Sequence, residues 1–357
     1  MTSPRPRRVL MVAHSRKLGG IERHVVGLSG VLSEAGDQVA FAGPRAGWLG
    51  EAMAAAGYHC VDVPMRGMYD LLSARRIARI ARDWGADLLH GHAQRGGRYA
   101  RWARRGAGVP ALVTAHSTNA WRWFGTDHPI LAVSGAVAQA LAGLGLPGRN
   151  IRVVYPGVAD PGRVAAPSPA PLSAERPLVL GMVARLEPVK GHDFALHALA
   201  QLRADLPLRL EIVGPDDTDW AAQMRALAAD LGLAPQVRFH GRRDDLAAVW
   251  GGIDVALAPS RREALCLSLI EAAAARRPGI GADLGGIPEV IADGTTGLLV
   301  APENPAALAA AIRRMADSAL HVAMGAAARA RYEALFTNAA MLRGVTAAYD
   351  SLLGEAR

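Results

Sequence analysis

The sequence predicts an α/β protein of two domains, each with a parallel β-sheet covered by helices on both faces. Three observations support this fold class. The length of 357 residues suits two domains of ordinary size. Short apolar segments alternate with helical stretches along the chain, which is typical of parallel sheets. A segment rich in Pro and Ala, residues 161–176, separates two series of such units and reads as a linker.

Each series of apolar segments predicts the strands of one domain. The first domain, residues 1–160, has strands at Val9–Ala13, Val39–Ala42, Cys60–Val63, Asp87–His90, Ala111–Ala115, Ile130–Val133 and Arg152–Tyr155. The second domain, residues 177–336, has strands at Leu178–Val183, Leu208–Val213, Val237–His240, Asp254–Ala258, Gly279–Ala282 and Leu298–Val300. Two such domains predict a cleft between them, with ligands at the carboxyl ends of the strands.

Composition excludes several classes of protein. An apolar fraction of 51% with 20% charged residues is globular rather than disordered. Two cysteines, Cys60 and Cys266, make no disulfide framework and favour a reducing compartment. No segment approaches the ~18 apolar residues of a membrane span, and the start lacks the long apolar core of a signal peptide. We therefore expect a soluble, cytoplasmic protein.

The net charge of +8 is concentrated in the first half of the chain. Residues 1–170 carry +11, whereas residues 171–357 carry −3. Five arginines at helical spacing predict a basic face: Arg95, Arg98, Arg101, Arg104 and Arg105. No nucleic-acid motif accompanies this charge, so we expect no nucleic-acid partner. The face is either a docking surface for an anionic membrane, with the protein peripheral to it, or simply solvated.

Two glutamates eight residues apart, Glu263 and Glu271, follow the apolar strand that ends at Ala258. The spacing predicts a loop carrying Glu263 and a helix that begins near Cys266 or Leu267, with Glu271 in its second turn. A helix N-terminus offers unpaired N–H groups that suit a phosphate. A carboxylate on each side could hold sugar hydroxyls. Alone, the pair would be two solvated side chains; neighbouring motifs favour the site.

Two cations follow another predicted strand, Leu178–Val183. Arg185 and Lys190 lie in the loop after it, and Gly191 permits the turn into a helix. The planar guanidinium of an arginine and the compact ammonium of a lysine can together neutralise a diphosphate. The chain has only two lysines, Lys17 and Lys190, and both lie in glycine-flanked loops.

Glycine pairs mark two further helix starts. Gly19 and Gly20 follow the first strand, an arrangement in which backbone N–H groups approach an anion closely. Gly285 and Gly286 precede Ile-Pro-Glu.

These four segments, in this order and spacing, resemble family 4 of the retaining glycosyltransferases. The resemblance spans roughly residues 8 to 335. It implies the GT-B fold, two Rossmann-like domains that face each other across a deep cleft, with a final helix at about 337–357 that crosses back onto the first domain. It also implies a hexosyltransferase that uses a UDP- or GDP-sugar as donor and needs neither metal nor other cofactor. The acceptor would be a glycan or glycolipid, as in lipopolysaccharide or polysaccharide biosynthesis.

The resemblance implies a role for each site residue. Arg185 and Lys190 would stabilise the departing nucleoside diphosphate, Glu263 would meet the donor sugar and Glu271 would bind the ribose. The phosphate cradle would consist of backbone N–H groups near Leu267 and Ser268, with Gly19 and Gly20. The nucleobase would meet the backbone around Phe239–Gly241.

His116, after the strand Ala111–Ala115, matches the family histidine that faces the donor sugar from the acceptor side; alone it would be an ordinary loop residue. The leaving phosphate would help deprotonate the acceptor on the same face, so no double-displacement nucleophile is needed.

Some residues depart from the family pattern. Ala264 and Cys266 stand where glycines are common, and Arg276 and Arg277 replace apolar turn residues, which would leave two cations close to the site. Cys266 could be a nucleophile, but a small packing residue fits its apolar surroundings better. Trp121–Phe124, shortly after His116, is an aromatic–cation cluster that could stack on a sugar or settle at a lipid headgroup boundary, or could be a packed loop.

Other functions compete with this interpretation. A catalytically silent subunit that binds a nucleotide sugar would keep the fold, but the intact Glu263, Glu271, Arg185 and Lys190 argue against it. An epimerase or sugar-phosphate synthase is disfavoured by the glutamate pair. A nicotinamide-dependent dehydrogenase would need Gly-x-Gly-x-x-Gly after the first strand, and the sequence lacks it.

Overall fold

The computed structural model describes residues 5–15, 18–118, 124–162 and 164–355. The chain divides into two compact units, unit 1 with Met1–Gly157 and Asn338–Arg357, and unit 2 with Val158–Thr337. Each unit contains one parallel sheet among the described residues, with seven strands in unit 1 and six in unit 2. The predicted α/β class, with one parallel sheet in each of two units, is confirmed.

Unit 1 is a Rossmann-like sheet with helices packed on it. Its strands are β1 (Arg8–Val12), β2 (Gln38–Gly43), β3 (His59–Asp62), β4 (Leu88–His92), β5 (Ala111–Ala115), β6 (Ile130–Ala132) and β7 (Ile151–Val153). Its first five helices are α1 (Gly20–Glu34), α2 (Trp48–Ala55), α3 (Leu71–Trp84), α4 (Ala93–Ala107) and α5 (Gly135–Gly143). The strand order β3-β2-β1-β4-β5-β6-β7 reverses direction between β1 and β4, where such folds bind ligands.

Unit 2 has the doubly wound order β10-β9-β8-β11-β12-β13, which reverses between β8 and β11. Its strands are β8 (Leu178–Val183), β9 (Leu208–Val213), β10 (Val237–Phe239), β11 (Val255–Ala258), β12 (Gly279–Ala282) and β13 (Gly297–Val300). Its helices are α6 (His192–Ala200), α7 (Asp219–Asp230), α8 (Leu246–Gly251), α9 (Leu267–Ala274), α10 (Ile287–Val290), α11 (Pro305–Met315) and α12 (Ser318–Leu335). All thirteen predicted strands are present, with ends that shift by at most two residues.

Helix α13 (Asn338–Glu355) completes the core of unit 1. Its buried side chains recur at three- and four-residue spacing and pack with those of β1 and α1: Met341, Val345, Ala348, Tyr349 and Leu352. The Tyr349 hydroxyl lies 2.7 Å from Nδ1 of His90 in β4, and Arg7 Nη1 lies 2.9 Å from a carboxylate oxygen of Asp350. The helix is therefore anchored by apolar packing and by polar contacts.

Residues 158–176, mostly a linker by sequence, belong to unit 2 in the structure. Arg329 of α12 pairs with Asp160, and Ser318 Oγ donates to the Ala170 carbonyl at 3.0 Å. Among the described residues no helix combines the length and apolarity needed to cross a membrane.

Candidate active site

In unit 2, the two loops that follow β8 and β11 carry the predicted charged residues. These strands are neighbours in the sheet at the point where the strand order reverses, so their carboxyl ends open at the same edge. One loop runs from Ala184 to Gly191 and the other from Pro259 to Cys266. Sequence reasoning assigned site residues to both loops, and the structure brings them together.

Lys190 and Glu263 form a close ion pair between these loops. Lys190 Nζ donates to Glu263 Oε2 at 2.6 Å, and the two side chains are 23% and 13% exposed. Burial disfavours the ammonium, but the Glu263 carboxylate outweighs burial and raises the pKa of Lys190. Lys190 is therefore charged at neutral pH and held over the loop that carries Glu263.

Arg185 adds a second cation to the loop after β8. Its guanidinium is exposed and lies 3.0 Å from the Glu187 carboxylate. Its positive charge favours the uncharged form of Lys190, but this effect is too small to prevent the rise in the pKa of Lys190. Two cations on one short loop would both be stabilised by a multiply charged anion.

Arg261 ties the two loops together, and sequence reasoning missed it. Its guanidinium binds the Asp193 carboxylate through two hydrogen bonds, at 2.9 and 2.6 Å. It also donates to the Pro188 carbonyl at 2.6 Å, and its backbone N–H donates to the Val189 carbonyl at 2.9 Å. These bonds fix the turn that presents Lys190. No sequence spacing signals the pair, because Asp193 and Arg261 are 68 residues apart.

Glycine is required at two turns beside the pair. At Gly191 (φ 71°) a Cβ would lie 2.0 Å from the Pro259 carbonyl oxygen. At Gly285 (φ 55°) it would lie 1.9 Å from the Glu263 carbonyl oxygen. The second glycine pair of the sequence thus lets the turn before α10 pack on the loop of Glu263.

Helix α9 begins at Leu267, as predicted, so Ser268 lies in its first turn and Glu271 in its second. No side chain caps its N-terminus. The preceding residue, Cys266, has a left-handed backbone (φ 75°), which a side chain adopts only at a cost. Burial, and secondarily Glu263, raise the pKa of the Cys266 thiol to about 11. Cys266 is therefore a protonated packing residue and not a nucleophile.

The segment proposed for the nucleobase follows β10. The Phe239 ring lies 4.4 Å from the Arg225 guanidinium, which pairs with Asp216. The Gly241 carbonyl accepts a hydrogen bond from Gly214 N–H at 2.9 Å. The backbone at 239–241 is thereby fixed beside the turn after β9.

Arg277 is a buried structural residue rather than a cation at the site, which corrects the sequence expectation. Its side chain is 2% exposed and donates to backbone carbonyls at 2.6 to 2.8 Å, those of Trp250, Ile253, Ala165 and Ala275. Burial lowers the pKa of Arg277 to about 10, so it remains charged at neutral pH. Its neighbour Arg276 is exposed.

In unit 1, the predicted glycine pair marks the start of α1. Gly19 is its N-cap residue and Gly20 its first residue, and no side-chain hydrogen bond caps this end. A Cβ on Gly19 would lie 2.9 Å from a carboxylate oxygen of Glu22, which is buried in the first turn. Lys17 lies outside the described residues.

Four histidines cluster in unit 1, although the sequence singled out only His116. His24 comes from α1, His90 and His92 from β4, and His116 from the loop after β5. Burial lowers the pKa of His24 to about 4, and burial with the neighbouring His24 lowers the pKa of His90 to about 3. Burial and the neighbouring imidazoles hold the pKa values of His92 and His116 well below 6.5. All four are therefore neutral at pH 7.

The arginines of α4 are partly engaged within unit 1. Arg101 and Arg104 pair with Asp127, and Arg98 stacks on the rings of Tyr69 and Trp102, at 4.4 and 4.0 Å. Of the predicted aromatic cluster, residues 121–123 lie outside the described residues. Phe124 is fully buried, so it is a core residue rather than a sugar platform.

An apolar patch not foreseen from the sequence lies beside this stack. Tyr69, Leu71 and Leu72 are 71%, 57% and 74% exposed. Asp70 caps α3 by accepting the Ser73 N–H, which fixes the helix start and leaves the leucine pair at the surface.

Models of two glycosyltransferase families match the chain. The model described as "Glycosyltransferase Family 4" covers residues 18–160, and that described as "Glycosyl transferases group 1" covers residues 177–318. Together they cover most of both units.

Two curated relatives are described as D-inositol 3-phosphate glycosyltransferases. The one from Geodermatophilus obscurus is 32% identical over 305 residues, which are 75% of this chain and 67% of that protein. The one from Streptomyces avermitilis is 39% identical over 199 residues, which are 50% of this chain and only 42% of that protein. Among solved structures, Anabaena HepE in complex with UDP and glucose superposes with a TM-score of 0.83 at 20% identity, covering 97% of this chain and all of that one.

Proposed function

Because the chain belongs to the family 4 glycosyltransferases, we propose that it transfers a hexose, with retention, from a nucleoside diphosphate sugar to a glycan or lipid-linked acceptor. The observation that carries this proposal is the Lys190–Glu263 pair beside Arg185 at the switch point of the unit 2 sheet. Two neighbouring cations, here Arg185 and Lys190, stabilise the charge on a leaving diphosphate. We propose that transfer needs no metal, since the two cations can neutralise the diphosphate themselves.

The donor is proposed to bind unit 2. Arg185 and Lys190 contact the diphosphate, and the uncapped first turn of α9, at Leu267 and Ser268, donates backbone N–H groups to it. Glu271, one turn later, holds the ribose. The description of HepE with UDP and glucose makes a UDP-sugar the first donor to test.

Glu263 is proposed to have two roles. Its carboxylate holds Lys190 in place, and it accepts a hydrogen bond from the donor sugar. The elevated pKa of Lys190 keeps the ammonium charged as negative charge grows on the departing phosphate. His116 keeps the role that the resemblance implies, contact with the donor sugar. As a neutral imidazole it can donate one hydrogen bond and accept another.

The acceptor is proposed to be lipid-linked, which would make the enzyme a cytoplasmic protein peripheral to a membrane, with a role in lipopolysaccharide or polysaccharide assembly. The exposed Tyr69, Leu71 and Leu72 support this, because an apolar tip beside exposed arginines, here Arg75 and Arg76, fits an anionic bilayer surface. The names of the curated relatives favour a second candidate, a soluble inositol phosphate.

Donor binding is tested by thermal unfolding with UDP, GDP, ADP and their sugars. A nucleotide at a hundred times its dissociation constant should stabilise the protein by about 2.7 kcal/mol. Lys190→Ala should lower turnover about 100- to 1,000-fold, whereas Glu271→Ala should mainly raise the KM for the donor. Arg313→Ala is the matched control, since Arg313 pairs with Asp205 at an exposed site of the same unit. Near wild-type turnover of Lys190→Ala, or activity that EDTA abolishes and Mg²⁺ restores, would refute the proposed chemistry.

The two acceptor classes are separated by co-sedimentation with anionic vesicles. We expect salt-sensitive binding that the double change Leu71→Ser and Leu72→Ser weakens. Leu144→Ser is the control, because Leu144 is an exposed leucine (41%) at the C-terminal end of α5 and not part of the patch at the start of α3. Absence of vesicle binding at low salt, with transfer to inositol phosphate, would favour the soluble acceptor.

A further inference from the structure

Three of the clustered histidines in unit 1 bring one ring nitrogen each into a small volume. These nitrogens, from His24, His92 and His116, all lie within 4.8 Å of one another. The three side chains come from α1, β4 and the loop after β5, so the fold itself brings them together.

Hydrogen bonding within the protein leaves ring nitrogens of His24 and His92 unpaired. Both ring nitrogens of His24 and Nε2 of His92 are buried and lack a hydrogen-bond partner among the described residues. His24 is 6% exposed and His92 is 1% exposed, so bulk water cannot supply the missing bonds. By contrast, the adjacent His90 is satisfied at both nitrogens, by the hydroxyls of Tyr349 and Thr114.

Unpaired nitrogens occur on other buried histidines, namely His128, His192 and His321. Within the described part of the chain, none of these belongs to a group of potential metal ligands. The short distances between their ring nitrogens, and not burial alone, therefore distinguish the three histidines.

The spacing of the three rings fits a tetrahedral metal ion. Zinc–nitrogen bonds of about 2.0–2.1 Å place two ligand nitrogens about 3.4 Å apart and two ring centroids about 5 Å apart. Nδ1 of His92, the ring nitrogen other than its unpaired Nε2, lies 3.5 Å from Nε2 of His116, longer than an ordinary hydrogen bond. The three centroid separations are 5.0, 5.6 and 5.7 Å.

We propose that His24, His92 and His116 form a site for Zn²⁺ or a similar nitrogen-preferring divalent ion. Three neutral imidazoles are a ligand set that such ions favour over Mg²⁺ or Ca²⁺. His116 is only partly buried, and a water molecule would complete a four-coordinate ion. The site lies within unit 1 and goes beyond the proposed transfer, but it shares His116 with the proposed donor-sugar contact, so a bound ion and that contact exclude each other; the diphosphate contacts in unit 2 use other residues.

The test is a metal titration of purified, tag-free, full-length protein that has been stripped with chelator and dialysed. Calorimetry with Zn²⁺ should give one ion per chain, and Mg²⁺ should give no heat of binding. Co²⁺ should develop the intense visible absorption of a tetrahedral complex, a readout independent of enzymatic activity.

Single replacements assign the ligands. His24→Gln, His92→Gln and His116→Gln should each weaken Zn²⁺ binding by more than about 100-fold, because even outer-shell changes cost 10- to 100-fold. His128→Gln, which removes a buried histidine of the same unit, should bind like the wild type. Circular dichroism confirms that each variant is folded, and any one folded ligand variant decides the outcome. The proposal is overturned if the wild type binds no stoichiometric Zn²⁺, or if the triad variants bind it as tightly as His128→Gln does.

Discussion

Replacing Arg261 by Met tests whether the bridge between the loops after β8 and β11 fixes the geometry of the site. The change removes two hydrogen bonds to the Asp193 carboxylate and one to the Pro188 carbonyl, while it keeps an unbranched side chain of similar length. The Asp193 carboxylate then lacks its cation at the first turn of α6. We expect both lower stability and lower turnover.

The size of the effect follows from burial. An exposed pair contributes about 0–1 kcal/mol, whereas breaking a buried pair costs about 3–5 kcal/mol. The Arg261 and Asp193 side chains are 29% and 16% exposed, between these limits, so we expect a loss of about 2 kcal/mol. Burial opposes the carboxylate, but Arg261 outweighs it and lowers the pKa of Asp193. A carboxyl group whose pKa is lowered in the folded state stabilises the protein at pH values above its pKa in the unfolded chain, which is about 3.9 for Asp. The full contribution of Asp193 to stability is therefore present at pH 7.

A double-mutant cycle measures the interaction. Urea unfolding of the wild type, Arg261→Met, Asp193→Asn and the double variant should give a coupling free energy of about 1.5–2 kcal/mol. Arg242→Met, at the exposed pair with Asp244, should cost less than about 0.5 kcal/mol. Because the Arg261 side chain also donates to the Pro188 carbonyl, two residues before Lys190, turnover should fall about tenfold or more. A coupling below about 0.5 kcal/mol, or unchanged turnover, would contradict this reasoning.

Three further predictions concern strain, pH and a buried cation. Cys266→Gly should be about 1 kcal/mol more stable than Cys266→Ala, because only glycine relieves the left-handed backbone; urea unfolding would show the reverse order if that backbone is unstrained. His24 binds its proton in the unfolded chain near pH 6.5 but in the folded state only near pH 4, so this residue alone should lower stability by about 1.4 kcal/mol per pH unit as the pH drops through this window. With EDTA present, unfolding of His24→Gln should show a shallower pH dependence, and an equal slope would refute the assignment. Arg277→Met should cost about 3–5 kcal/mol because it leaves buried carbonyls without a donor, whereas Arg276→Met, an exposed change, should stay within about 0.5 kcal/mol; similar midpoints in a thermal melt would count against the structural role of Arg277.

The strands could be predicted from the sequence because each is a short apolar segment bounded by turn residues. Buried parallel strands such as Leu178–Val183 have an almost continuous apolar pattern. The sequence could not predict that residues 158–176 belong to unit 2, because composition does not reveal tertiary partners. Their contacts to unit 2 depend on side chains that are distant in sequence, such as Arg329 and Ser318.

The sequence predicted that Lys190 and Glu263 belong to one candidate site, but it did not predict the residues that hold them in place. Lys190 and Glu263 occur in recognisable motifs, and the structure shows them in direct contact. Arg261, Arg277 and His92 resemble ordinary loop or strand residues in the sequence. Their roles arise from pairings across tens of residues, and a single sequence carries no signal for such pairings.

The position of α13 has a consequence for biosynthesis. Unit 1 is assembled from two stretches of chain, Met1–Gly157 and Asn338–Arg357, and all of unit 2 lies between them. A ribosome therefore delivers every residue of unit 2 before the segment that carries Tyr349, the partner of His90, emerges. Until then the apolar side chains that α13 covers on β1 and α1 stay open to other nascent chains or chaperones. Unit 2 can close its core first, and unit 1 matures only afterwards.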